Sequence, residues 1–217
     1  FKRLWIGLQF GGMRRGPMSM GASQVCVFAR TRPDLETPDI QFHFQPLSAD
    51  KPGIKMHPFS GITASVCQLR PESRGQINIK SPDFREHPSI QPNYLSARQD
   101  RETVVLSMKY TRKLAKTAAL SRFIVREMVP GAEIKTDEDL LNAARNISQT
   151  IYHPTSSCKM GDDDQSVVDS RLRVHRTRAL RIADASIMPT ITSGNTNAPT
   201  IMIGEKASDM ILKDRKS

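Results

Sequence analysis

Apolar and polar positions alternate with a period of two through much of the first half of the chain, the mark of half-buried strands. The cleanest case is residues 39–46, where Ile40, Phe42 and Phe44 fall on one face and Gln41, His43 and Gln45 on the other. In residues 21–30, Val25, Val27 and Ala29 alternate against Cys26 and Phe28. Ile62 to Leu69 and Gln76 to Ser81 continue the pattern, and prolines from Pro33 through Pro52 to Pro92 punctuate it. Short strands without long intervening helices predict a mostly antiparallel sheet.

The period then changes. Asp100 can cap a helix running to about Met128, with Val104, Met108, Thr111, Ala115 and Ala118 on one stripe. Lys109, Arg112, Lys113 and Lys116 oppose that stripe, and Pro130-Gly131 ends the helix. Thr136 reads as the N-cap of a second helix with acids in its first turn. Its buried face would be Leu140, Leu141, Ala144, Ile147 and Ile151. From residue 152 the chain turns polar, then forms a short strand at Ala179 to Ala183. A Gly/Asn/Thr turn leads into a last helix from Thr200 to about Lys213. The expected class is α+β: a mostly antiparallel sheet flanked by helices, followed by a strand-turn-helix segment.

Composition adds bounds. At 217 residues and 38% hydrophobic the chain can bury a sizeable core, and no apolar run approaches the ~18–20 residues of a membrane span. The net charge of +10 raises an anionic partner, but the densest basic group lies on a helix without interleaved aromatics, so nucleic acid is not expected. A solvated face remains the plain alternative. Cys26, Cys67 and Cys158 are odd in number and widely spaced, with neither zinc-site nor disulfide spacing. They are expected to be small core residues in a reducing, cytoplasmic compartment, and no metal is expected.

Candidate chemistry is sparse when taken feature by feature. No G-x-G-x-x-G or Walker A run occurs, and Gly11, Gly12 and Gly16 do not follow a strand and open a helix. Residues 195–200 make a strong helix entrance, with Asn or Thr as cap and Pro199 near the first turn. Free N–H groups at such an end suit an anion, although every helix needs a start. Gly204 within that helix suggests close backbone approach. His153, in a polar segment, has the chemistry of a general base but by itself reads as well as a surface or cap histidine.

Four blocks taken in order are more specific. They are residues 152–161 (YHPTSSCKMG), Val168-Asp169, residues 180–189 (LRIADASIMP) and residues 194–200 (GNTNAPT). At this spacing they resemble the C-terminal signature of the glucose–methanol–choline (GMC) flavoprotein oxidoreductases, and the choline dehydrogenase-like branch most of all. Residues 38–44 and 69–75 are similar to segments of that family's substrate domain. The resemblance implies a substrate-binding domain over 1–151 and, over 152–217, a segment that returns to the FAD-binding domain.

The resemblance also implies a chemistry, in which FAD takes a hydride from a hydroxyl-bearing carbon while a histidine takes the hydroxyl proton. His153 matches that histidine and Asn195 its partner at the substrate oxygen. Asp184, Ala185, Thr196, Asn197, Ala198 and Thr200 match positions that touch FAD. An alcohol oxidase of the same family, and a non-catalytic basic interaction module on the same fold, are the alternatives. Ser156-Ser157 depart from the Gly-Thr of many members. The family's Rossmann glycines are absent and the chain starts at Phe1, so the expectation is a C-terminal portion whose partner is an N-terminal FAD-binding portion of the same enzyme. Isolated, the chain is expected to be inactive and to lose added FAD on a desalting column, which a visible absorption spectrum checks; stoichiometric retained flavin would contradict this.

Overall fold

The computed structural model describes residues 2–49 and 55–215, so the predicted punctuation at Pro52 lies outside the described residues. Elements run in the order α1 (Lys2–Met13), β1 (Val25–Ala29), β2 (Ile40–Gln45), β3 (Thr63–Gln68), β4 (Gln76–Asn78), β5 (Ser89–Gln91), α2 (Arg98–Ala115), α3 (Ala118–Ser121), α4 (Asp137–Ile147) and α5 (Asn197–Asp214). Strands β1, β2 and β3 form an antiparallel sheet in that order, and β4 pairs antiparallel with β5 in a separate ribbon. The α+β class with antiparallel pairing follows the alternation in the sequence.

Register explains why β2 is central. Gln41 stands opposite Phe28 on β1 and Cys67 on β3, whereas Phe42 stands opposite Val27 and Val66. One face therefore carries Val27, Ala29, Ile40, Phe42, Phe44 and Val66, an apolar cluster closed by Tyr110 and Leu114 of α2. Gln41, His43, Cys26, Phe28, Ser65 and Cys67 share the other face by the pleat. The β1–β2 connection is tied off by Asp39, whose carboxylate accepts the Thr31 N–H at 2.7 Å and its hydroxyl at 2.5 Å.

Helix α2 is shorter than its pattern implies, and its buried positions differ. It ends at Ala115, with α3 a separate short turn, and Val105 and Ser107 are buried rather than the stripe through Val104 and Met108. The reason is that α2 packs on two sides, against β3 and against α4, so one stripe does not describe it. Nor does Asp100 cap it. It lies inside the first turn, 1% exposed, and its carboxylate accepts the N–H groups of Glu72 and Ser73, each at 2.8 Å.

Two residues on the basic face of α2 are paired. The Arg112 guanidinium pairs with Glu127 at 2.7 Å and donates to the carbonyls of Gly131 and Ile134. Lys109 pairs with Asp137 at 2.5 Å. Thr136 caps α4 as expected, accepting the Asp139 N–H at 3.1 Å, and Leu140 and Ala144 are buried. Ile147 and Ile151 are exposed, because α4 stops at Ile147.

The last quarter has its own apolar cluster of Val168, Leu172, Ile187, Met188, Ile203 and Ala207. The predicted strand at Ala179 to Ala183 is reduced to a bridge between Arg173 and Arg181, since Ala179 adopts φ +57° and breaks the extended run. Helix α5 starts three residues early, at Asn197, and Asp214 at its far end takes hydrogen bonds from both Arg171 and Arg181. Among the described residues nothing lies within 4 Å of where a Gly204 Cβ would stand, so the expected close approach is not made within them. Cys26 is exposed and only Cys67 and Cys158 are partly buried, which corrects the expectation of core cysteines. Helix α1 had no counterpart in the pattern, because Gly7, Gly11 and Gly12 interrupt its apolar positions.

Burial works against the charge on Asp100, yet the hydrogen bonds from Glu72 and Ser73 outweigh it and hold its carboxyl below the ordinary range. A lowered folded-state value means that the stabilisation is complete above the unfolded value of about 4 and is lost as pH falls through the folded one. Asp100→Ala should cost about 3 kcal/mol at neutral pH, since two N–H donors lose a buried, charged acceptor. It should also flatten the acid limb of the stability curve; urea melts from pH 7 down to pH 3 check both.

Candidate active site

The two halves meet through polar groups at the site-facing side of β2. Gln41 is 2% exposed and donates through Nε2 to Asn195 Oδ1 at 2.9 Å and to Cys26 Sγ at 3.0 Å. Asn195 then sets its own Nδ2 2.8 Å from His153 Nε2. The other imidazole nitrogen, Nδ1, lies 3.0 Å from the hydroxyl of Thr196. Two consecutive residues at the entrance to α5 thus engage both nitrogens of one ring.

The local backbone explains how His153 comes to point there. Tyr152 adopts φ +62° and Ser156 φ +73°, so left-handed residues bracket the turn that carries His153. Downstream, Cys158 N–H donates to Ser186 at 3.0 Å and Met160 N–H to Ile187 at 2.8 Å. Those bonds lay the histidine segment beside the short turn Ala185–Ile187, which Asp184 caps by accepting the Ser186 N–H at 2.8 Å. That turn packs against α5 within the apolar cluster, with Ala185 against its edge. On the sheet side, Phe28 abuts Gly194, 3.9 Å from where a Cβ would stand.

The α5 entrance differs from expectation in one respect that matters. Thr196 is its N-cap residue, but no side chain caps the helix, because the Thr196 hydroxyl is turned to His153 instead. Thr200 bonds back to the Thr196 carbonyl at 2.6 Å. Asn197 and Ala198 stand exposed at the first turn, whose N–H groups have no side-chain acceptor and whose dipole is positive. That donor set fits an electron-rich heteroaromatic oxygen or an anion.

Cys67 sits behind Gln41 and donates its thiol to the Gln41 carbonyl at 3.7 Å. Burial, and secondarily the neighbouring Cys26, push the Cys67 thiol up to about 11, so it remains an uncharged S–H donor. Among the described residues no cluster of three or more His, Cys, Asp or Glu is placed to hold a metal, and no helix is long and apolar enough to cross a membrane.

The structure therefore brings His153, Asn195 and Thr196 into one hydrogen-bonded group, with Asn197 and Ala198 at the adjoining helix end. Asp184 serves its own turn and Thr200 its own helix. Gln41 was not among the expected site residues. In the sequence it is one more amide on the polar face of an alternating strand, and only the fold, which buries it, sets it apart.

Comparisons with known proteins follow the same lines. The family model described as GMC oxidoreductase matches residues 71–204. The chain is 46% identical over 187 residues to an oxygen-dependent choline dehydrogenase of Pseudomonas fluorescens, covering 85% of this chain and 32% of that protein. It is 38% identical over 200 residues to an alcohol dehydrogenase [acceptor] of Pseudomonas putida, covering 92% and 36%. The chain spans about a third of the length of these curated relatives. Among solved structures, pyridoxine 4-oxidase from Mesorbium loti matches with TM-score 0.78 and 25% identity over 87% of this chain and 37% of that one. A formate oxidase variant of Aspergillus oryzae, studied for FAD modification, matches in fold with TM-score 0.90 at 23% identity, over 100% of this chain and 42% of that one.

Ser156 occupies a conformation that suits glycine, and among the described residues its hydroxyl hydrogen-bonds the Thr155 hydroxyl, at 3.1 Å. Ser156→Gly should raise stability by about 0.5–1 kcal/mol, the left-handed penalty less the added chain entropy of glycine. Thermal melts of the two proteins check this.

Proposed function

The chain belongs to the GMC oxidoreductase family, and we propose that it contributes the base and the substrate-facing sheet of an FAD-dependent oxidation of an alcohol. The observation that carries the reading is the His153–Asn195 pair: ring nitrogen and amide nitrogen 2.8 Å apart, beside an uncapped helix entrance. His153 Nε2 takes the hydroxyl proton. On binding, the alcohol oxygen takes over the Asn195 Nδ2–H, which frees the single lone pair of Nε2 for the hydroxyl proton, so removal of the proton and stabilisation of the oxygen act on one atom. Thr196 steadies the ring from behind through Nδ1, which limits its rotation and keeps Nε2 aimed at the oxygen.

The residues present fit FAD. Uncapped N–H groups at Asn197 and Ala198 would meet an electron-rich edge of the ring. Thr196, Thr200, Asp184 and Ala185 match family positions that touch it, with the Asp184 carboxylate and the Thr200 hydroxyl engaged in their own turn and helix. When bound, FAD supplies the acceptor for the hydride that leaves the hydroxyl-bearing carbon.

Residues 1–151 act as the substrate-binding domain, and residues 152–217 as the segment that carries the base and docks on the FAD-binding portion of the enzyme. Two separate apolar clusters, one in each part, support that division. The curated relatives are named an oxygen-dependent choline dehydrogenase and an alcohol dehydrogenase, which supports oxidation of an alcohol with either electron acceptor. Cytoplasmic placement is favoured by three unpaired thiols.

In the enzyme assembled with its FAD-binding portion, His153→Ala should lower turnover with an alcohol at least ~100-fold, the usual scale for loss of a general base. Steady-state kinetics measure it, and an unchanged rate removes His153 from the role.

A further inference from the structure

We propose that Gln41 is a positioning residue: acting through the amide of Asn195, it sets which nitrogen of His153 carries the proton. The inference rests on the reading of His153 as the base and adds to it the means by which the base is kept ready.

A primary amide buried mid-strand is costly unless its polar atoms are matched. Gln41 sits between Ile40 and Phe42, both fully buried, and its Nε2 has two protons for two acceptors. One is Asn195 Oδ1 at 2.9 Å and the other Cys26 Sγ at 3.0 Å. With a donor committed to its oxygen, the Asn195 amide can face only one way. Its Nδ2 is turned to His153 Nε2 at 2.8 Å.

A ring nitrogen that accepts a hydrogen bond carries no proton. Neutral imidazole has one proton, which therefore resides on Nδ1 and is donated to the Thr196 hydroxyl at 3.0 Å. The direction of the whole chain, from Gln41 to Asn195 to His153 to Thr196, is thus set at the sheet. Imidazole in water favours the other tautomer, with its proton on Nε2, where it could not accept a substrate proton. The buried amide inverts that preference. Because Gln41 is buried and both of its Nε2 protons are committed, to Asn195 and to Cys26, its effect on the reaction passes through Asn195.

The test reads the tautomer directly. Long-range proton–nitrogen correlation spectra of the uniformly 15N-labelled chain are recorded at about pH 8.5, two units above the ordinary histidine value. The His153 signals are those missing from His153→Gln. The wild-type chain should show a protonated Nδ1 and a bare Nε2. In Gln41→Glu the new carboxylate can only accept, so the Asn195 amide reverses and the proton should move to Nε2. Gln41→Leu, which avoids a buried charge, should release Asn195 and give a mixture of both tautomers.

A purpose that is only structural would lower the melting temperature and leave the tautomer where it was. A proton on Nε2 in the wild-type chain overturns the proposal without any variant. So does an Nδ1 proton that persists in whichever Gln41 variant folds. Failure of the base reading looks different: turnover of His153→Ala would be unchanged while the tautomer still followed Gln41.

Discussion

One hydrogen bond, from Gln41 to Asn195, joins residues 154 positions apart and makes the site a property of the folded chain rather than of either half. The sheet cluster around Phe42 and the helical cluster around Val168 each bury their own apolar surface and would tolerate some sliding against one another. Polar contacts with strict geometry remove that freedom. The buried amide at the centre of β2 is the most constrained of them, since displacing Asn195 would strand a donor that water cannot reach. The contact of Phe28 with Gly194 adds shape to the same junction.

The strained and the regular parts of the backbone divide the work. Tyr152 and Ser156, both at positive φ, turn the chain sharply enough to bring His153 back over the α5 entrance. Strain of that kind survives only where the surroundings over-determine it, and here the bonds from Cys158 and Met160 to the Ala185–Ile187 turn do so. At the regular end, α5 is anchored by Ile203 and Ala207 in the apolar cluster and by Asp214 between two arginines at its C-terminus. Thr196 then gives its hydroxyl to the histidine and leaves the helix end without a side-chain cap, which keeps donors available for a ligand.

Much of this was legible in the residues, unevenly. Alternation located the strands because half-burial on a sheet imposes a period of two, and Thr136 announced α4 through its cap. Helix α2 was misjudged because a helix packed on two sides has no single stripe, and α1 because glycines hide its pattern. The ordered blocks carried His153 and Asn195 as a resemblance, and their spacing of residues could not say that the two side chains meet. Gln41 shows the limit most clearly. A polar residue on the alternating face of a strand looks like solvent-facing filler until another part of the chain is known to cover it. The same holds for Asp100, which reads as a cap and serves the loop between β3 and β4.

A substrate alcohol must sit where His153 and Asn195 both reach its oxygen. The most direct measurement is a crystal structure of the FAD-loaded enzyme, this chain joined with its FAD-binding portion, holding an unreactive alcohol. Its hydroxyl oxygen should lie within hydrogen-bond reach of both His153 Nε2 and Asn195 Nδ2, on the side of the α5 entrance. An alcohol bound with its hydroxyl away from both groups would contradict the assignment of this pair as the centre of the reaction.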